Sequence, residues 1–455
     1  MKILLSAILL LFLFVLTNPA QCETEPTIEK TGKILKELKT AKEEKLSLAA
    51  DYLLTLRASV KGASWQKKNA EAAVLTVFVD GKYNQDLILF AGEKVFEYQA
   101  LLGNLGAGDH KISIVLNEAR SAPNAKKVKI RSAFSVAFDD LLANVATTDR
   151  SILAYIATIN APFIYARPDT IDKFSDIPLI TYYEIFDEPE NIKKIRYTTI
   201  FSNEDGGTQS AALMARWGRI TDIEWIYEMR VKETGEILSA IYQGANHETK
   251  NFTGNRIFGN HPLLFDATVN NNFSAAGCSA LRFSPMLVQA NLADGSRETV
   301  MDNFAWTYRI MAQEGVREGR VNIAKLDANT IDDPRNYLYA EIYSEPENTA
   351  INVEAETFDA QKFSSDAGNA ALRVNRTGYV RVALRVPQNL ATDFPKAVSI
   401  GCYATSGNLE SICRNVRLVK LVRLDHNYQP VIKKVDTKSQ NVKAGERARH
   451  LINRF

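Results

Sequence analysis

Asp222-Ile223-Glu224-Trp225-Ile226-Tyr227-Glu228-Met229-Arg230-Val231 is the stretch on which the reading of the fold turns. Ile223, Trp225, Tyr227, Met229 and Val231 alternate with Asp222, Glu224, Glu228 and Arg230, the period-two pattern of a half-buried β-strand. Asp222 and Glu224 then share one face, with Cα atoms roughly 6.5–7 Å apart. That spacing lets both carboxylates converge on one small cation or polar ligand. The plainer reading is a wet strand face. Just upstream, Gly218-Arg219-Ile220-Thr221 places a guanidinium beside the pair, able to fill the cleft itself.

Outward from this strand the pattern stays β. Leu179 to Ile185, Ile195 to Ser202, Ile237 to Gln243, Pro262 to Phe265, Asn303 to Ile310 and Tyr337 to Tyr343 read as strands, with Gln209 to Trp217 a helix. Short strands also recur from Val74 to Leu116 with Asp80-Gly81 and Gly106-Ala107-Gly108-Asp109 as turns. The expected architecture is mainly β: a helical arm over residues 23–67, a small β-sandwich over 68–138, a linker helix over 139–160 and a larger β-sandwich over 161–430. The arm is inferred from Lys/Glu-rich sequence with leucines at loosely helical spacing.

The ends differ from the body. Met1-Lys2, an apolar run of about 15 residues and Asn18-Pro19-Ala20-Gln21-Cys22 describe a secretory signal peptide over residues 1–22. Cleavage falls after Ala20 or Cys22; a lipid-modified Cys22 is the rival reading. No later apolar run is long enough to span a membrane, so a secreted or extracytoplasmic chain without a transmembrane segment is expected. Residues 431–455 hold seven Lys or Arg against Asp436 and Glu446 and read as a solvated basic tail. A net charge of +2 gives nucleic acid no purchase. Cys402 and Cys413 flank a turn and are expected to form a disulfide, with Cys278 left over. Asn251, Asn272 and Asn375 begin Asn-x-Ser/Thr triplets.

Candidate chemistry gathers near the opening strand. Asn203-Glu204-Asp205-Gly206-Gly207 suits a tight acidic loop, and Asp205 with Asp222 and Glu224 would supply the hard oxygen ligands that calcium or magnesium requires. His247-Glu248 and His261 follow within 60 residues, and with Arg219 form the expected ligand-binding set. Their spacing matches no zinc motif. No phosphate loop or Gly-x-Ser-x-Gly elbow is present. Trp217, Trp225, Trp306, Tyr337, Tyr339 and Tyr343 are candidates either for stacking sugar rings or for filling a sandwich core.

The order of these pieces over residues 161–274, namely Arg167-Pro168-Asp169, Asn203-Glu204-Asp205, Gly218-x-x-x-Asp222-x-Glu224, Gly244-x-x-His247-Glu248 and His261-Pro262, resembles the necrosis-inducing secreted cytolysins. It is also similar to the vacuolar-sorting-associated proteins that share an Asp-Trp-Glu signature. The resemblance implies a β-sandwich with a divalent cation near Asp205, Asp222 and Glu224 and a membrane glycolipid as target. Arg219 and Thr221 stand where the cytolysin signature has histidines, and Ile223 where it has tryptophan. The leading expectation is a non-enzymatic binding or surface-interaction protein for a glycan or lipid head group. A carbohydrate-active hydrolase using paired carboxylates and a structural envelope protein are the alternatives.

Overall fold

A computed structural model describes residues 25–39, 50–137, 149–387, 394–405 and 410–452. The signal peptide and part of the linker lie outside these. The chain is mainly β, organised as three sandwiches.

In the first, β1 (Ile34–Lys39), β2 (Ala50–Lys61), β3 (Val74–Val79), β4 (Lys82–Ile88), β5 (Phe96–Leu105), β6 (Lys111–Asn117) and β7 (Lys127–Ala137) form two sheets, ordered β1-β6-β3-β4 and β5-β2-β7. Leu54, Leu56, Val74, Val77, Ile112 and Ile114 fill the shared core. The expected helical arm is corrected here. Among the described residues of this segment only Ile28–Thr31 is helical, whereas Ile34 pairs Val115 and β2 pairs both β5 and β7. Leu35, Leu38, Leu53, Leu54 and Leu56, spaced like a helix face, are strand residues, so the sandwich begins near Ile34 rather than residue 68.

The helix Asp149–Ile159 leads into the second sandwich. One sheet joins β8 (Phe163–Tyr165) with later short strands, and the other is built on β9 (Pro178–Glu188), β10 (Ile192–Phe201), β11 (Ile223–Lys232) and β12 (Ile237–Gln243). Tyr183, Ile195, Tyr197, Tyr227, Met229 and Val231 pack against Phe163 and Leu264 between them. A bulge breaks the simple alternation of the opening strand. Tyr197 pairs Tyr227 but Thr198 pairs Trp225, so Ile226 is the extra residue. Tyr227, Met229 and Val231 therefore face the sandwich interior, while Ile223 joins a different cluster on the outer face. Asn303 to Ile310, expected as a strand, instead straddles two helices, Thr299–Asn303 and Trp306–Arg317.

The expected single sandwich over 161–430 is also corrected, because its last hundred residues build a third one. Two sheets, ordered through Gly378–Arg385, Tyr337–Glu347 and Ile412–Leu424 on one side and Thr349–Glu356 with Ala397–Ala404 on the other, enclose Leu338, Ile342, Val353, Val382 and Leu418. The basic tail belongs to it: Pro430–Lys434, Gln440–Lys443 and Arg447–Leu451 are strands with Val442 and Ala448 in the core. Lys434, Lys443, Arg447 and Arg449 lie on the wet face of these strands, whereas Lys433 is buried. A further cluster of Tyr182, Ile200, Ile223, Leu213, Met301 and Tyr339 welds the second and third sandwiches together. Beside it the buried Arg381 makes a bidentate pair with Asp302 at 2.7 Å through both guanidinium nitrogens, and lies 2.8 Å from Glu341.

Cys402 and Cys413 form the expected disulfide. Cys278, expected to be left over, is also disulfide-bonded. Closing the short loop between Cys402 and Cys413 restricts the unfolded chain by about 3 kcal/mol. The double replacement Cys402→Ser/Cys413→Ser, which removes this bridge alone, is expected to lower stability by about that amount in urea titrations. No described helix is long and apolar enough to cross a membrane. The disulfide bonds are compatible with an extracytoplasmic protein.

Candidate functional site

One end of the second sandwich is unusually polar. Residues 203–205 run beside 220–222, with Asp222 N donating to Asn203 O and Glu204 N to Ile220 O. This pairing brings the acidic loop and the start of β11 together. Gly206 packs closely against Asn270, whose Cα would lie 3.0 Å from a Cβ added there.

Asp222 is buried, and Asn271 Nδ2 donates to it at 2.9 Å and to Asp176 at 2.9 Å. Burial, reinforced by Glu224, pushes the Asp222 carboxyl up to about 7. Burial and then the nearby Asp222 push Glu204 up to about 7 as well. Asp266 rises to about 8 by burial against the opposing pull of Arg167. Glu224 is raised by burial while Arg297 and the hydrogen bond from Gln243 pull the other way. Several carboxyls at one pole thus hold protons near neutrality, a pattern that concentrates at functional sites.

Arg219 does not fill the space between Asp222 and Glu224. Its Nε pairs with Glu298 at 2.9 Å and its guanidinium also donates to Thr221 O. Asp205 faces elsewhere too, accepting from Ser175 Oγ at 3.0 Å and Asn203 Nδ2 at 3.1 Å, with Arg167 at 3.5 Å. Among the described residues no group of three or more His, Cys, Asp or Glu is gathered to hold a metal ion. The three carboxylates expected to share calcium or magnesium are therefore divided among different nitrogen donors.

The rim is built around Glu224. Gln243 Nε2 donates to Glu224 Oε2 at 2.6 Å, and His247 Nδ1 lies 3.9 Å from the same oxygen. Asn270 Nδ2 donates to His247 Nε2 at 2.9 Å, and Asn272 Nδ2 lies 3.3 Å from Nδ1. Each ring nitrogen thus faces an amide donor, and a neutral imidazole accepts from one of them at a time. His247 reaches this place because Asn246 and His247 both adopt left-handed backbone, φ 57° and 59°. A left-handed histidine is a strained choice that the surrounding contacts must hold. The half-exposed ring leaves one side open to solvent.

Glu248 points away and meets Lys250 at 3.4 Å. His261, expected in the ligand-binding set, is fully buried at the junction with the first sandwich, with Asp51 Oδ1 at 2.7 Å and Ala161 O at 2.7 Å. Sequence reasoning missed Gln243, Asn270 and the bridging Asn271. The Asn270-Asn271-Asn272 run was the available signal, and nothing local distinguishes it from a turn. Asn272, one of the glycosylation triplets, is buried against His247, which closes it to modification in the folded chain. Of the aromatic candidates, Tyr337 and Tyr339 are core residues and Trp306 stacks on Phe90 at 5.1 Å.

No family model matches the chain, and no curated protein matches it. Solved structures that match include a protein described as "EclA C-terminal domain; sugar-binding protein", 14% identical, covering 25% of this chain and 71% of that one with a TM-score of 0.18. A superposition that loose carries no argument about fold or ligand.

Proposed function

We propose that this chain is a secreted carbohydrate-binding protein whose ligand sugar is gripped at the Glu224–His247 rim. The observation that supports it is the convergence of Glu224, Gln243, His247, Asn270 and Asn272 from three separate segments onto one partly open place. Carboxylate, amide and imidazole groups each offer donors or acceptors in a plane, which suits the paired hydroxyls of a sugar ring. Calcium or magnesium has no part in this proposal, because Asp205, Asp222 and Glu224 already hold other partners.

A glycan array followed by calorimetry with the best ligand tests the reading. Glu224→Gln and His247→Ala are each expected to weaken binding at least about tenfold, the loss of one well-placed polar contact. An array without binders, or variants that bind as the parent does, would dismiss the idea.

A second reading rests on the protonated carboxyls. Asp222 and Glu204, held near 7, could serve as general acid and base in glycoside hydrolysis beside Glu224. Incubating the array ligand with the protein and assaying new reducing ends separates the two. Hydrolysis that disappears in Asp222→Asn favours the enzyme, and an intact ligand favours the binder.

A further inference from the structure

A cleft of about 410 Å³ opens between the second and third sandwiches, well supplied with polar side chains and sharing none of them with the rim at Glu224. Asn291, Asp294, Gly295 and Thr299 line one wall, and Arg417, Lys420 and Lys434 the other. Glu341 lies at the floor with no exposed surface. Its two oxygens are treated very differently. Oε2 accepts from Ser296 Oγ at 2.7 Å and Arg381 Nη2 at 2.8 Å, with Lys420 Nζ at 3.5 Å. Oε1 has no protein hydrogen-bond partner.

Gly295 stands beside that buried oxygen with no side chain of its own to crowd it. A Cβ there would stand 3.3 Å from Glu341 Oε1 and 2.9 Å from Thr299 Oγ1. Leaving a buried carboxylate oxygen without a donor is costly, so a ligand that supplies one is favoured. The charges say what kind. Arg381 and Lys420 balance Asp302 and Glu341 at the floor, and Arg417 faces Asp436 at 3.5 Å near the mouth. A strongly charged ligand would upset both pairings. Hydroxyl groups would not, because each donates and accepts, meeting Glu341 Oε1 on one side and the lysine and arginine donors on the other. Tyr379, which donates to Asp294 at 3.3 Å and meets Tyr343 edge-on at 4.9 Å, adds an aromatic surface beside the mouth.

We propose that this cleft binds a neutral, hydroxyl-rich small molecule, a single sugar residue, with one hydroxyl donating to Glu341 Oε1 across Gly295 and others accepting from Lys434 and Arg417. The site stands independently of the rim at Glu224, since no residue is common to both. Two separated sugar sites on one chain would engage a branched or repeating glycan at two points.

Saturation-transfer NMR of the full chain with glucose, galactose, mannose and N-acetylglucosamine, each titrated to tens of millimolar, provides the test. Gly295→Ala places a methyl group beside the unpartnered oxygen without altering any charge, and Lys434→Ala removes a donor from the exposed mouth. With the rim impaired by Glu224→Gln, at least one sugar is expected still to bind, and to bind the double variant Glu224→Gln/Gly295→Ala at least tenfold more weakly at a melting temperature equal to that of Glu224→Gln. Lys434→Ala, on an exposed side chain, is expected to weaken the same sugar severalfold and serves the same purpose should Gly295→Ala fold poorly. The proposal is overturned if none of the four sugars binds, or if both cleft variants, made in the Glu224→Gln background, bind as Glu224→Gln does. It is equally overturned if Glu224→Gln alone abolishes binding, an outcome that would leave the rim reading standing.

Discussion

Stability is expected to fall by roughly 5 kcal/mol as the pH is raised from 5 to 8. Asp222, Glu204 and Glu314 are held at about 7 and Asp266 at about 8, all by burial and against ordinary values of 3.8 or 4.5. Across this range the folded chain binds more protons than the unfolded one, so stability is greatest on the acid side. It declines as pH climbs from the ordinary carboxylate range and through 7 to 8. Each unit of displacement corresponds to about 1.4 kcal/mol. The losses do not simply add, because Asp222, Glu204 and Glu224 face one another and ionising one hinders the next. Urea titrations at pH 5, 6, 7 and 8 measure the slope. Asp266→Asn, which keeps the shape and removes the ionisation, should flatten it; stability that is level or rises over this range would show that these carboxyls ionise freely in the folded state.

Replacing Arg381 by methionine is expected to cost about 3–5 kcal/mol. Arg381 is almost wholly buried and joins Asp302 of the second sandwich to Glu341 of the third, with Tyr308 completing its hydrogen bonds. Its removal leaves two buried carboxylates with Lys420 as the nearest remaining cation, at 3.1 Å from Asp302 and 3.5 Å from Glu341. Arg381→Lys should recover only part of the loss, since an ammonium group cannot reproduce the bidentate pair. The midpoint of urea denaturation reads the effect directly. A shift of less than about 1 kcal/mol for Arg381→Met would mean that the junction relaxes and admits water to both carboxylates.

The strand periodicity around β11 was legible because each strand buries one face, and that requirement is written into alternate residues. The bulge at Ile226 was not, since one inserted residue changes which face follows without changing the composition of either. The segment 34–61 misleads for a related reason: its partners lie at residues 96–137, and only pairing with them turns helix-like leucine spacing into strands. The basic segment beyond residue 430 looks like a tail because an edge strand of a sandwich needs only a few buried residues, here Val442 and Ala448. The candidate site followed the same division. Glu224 and His247 stand 3.9 Å apart across a 23-residue separation, whereas the fate of Arg219 depended on Glu298, 79 positions away. Polar pairing is decided by long-range contacts that leave no periodic trace.

The junctions of the first sandwich carry a consequence for synthesis. Trp65 donates to Glu314, 249 positions later, and Asp51 meets His261, 210 positions later. At translation speeds of about 5–20 residues per second, these partners emerge some 10–50 s after the strands they complete. During that interval the amino-terminal sandwich can form its own two sheets but presents an indole and a carboxylate that the finished chain buries. A nascent chain of this design would gain from a holding chaperone, or from a slow stretch of translation placed after the helix Trp306–Arg317.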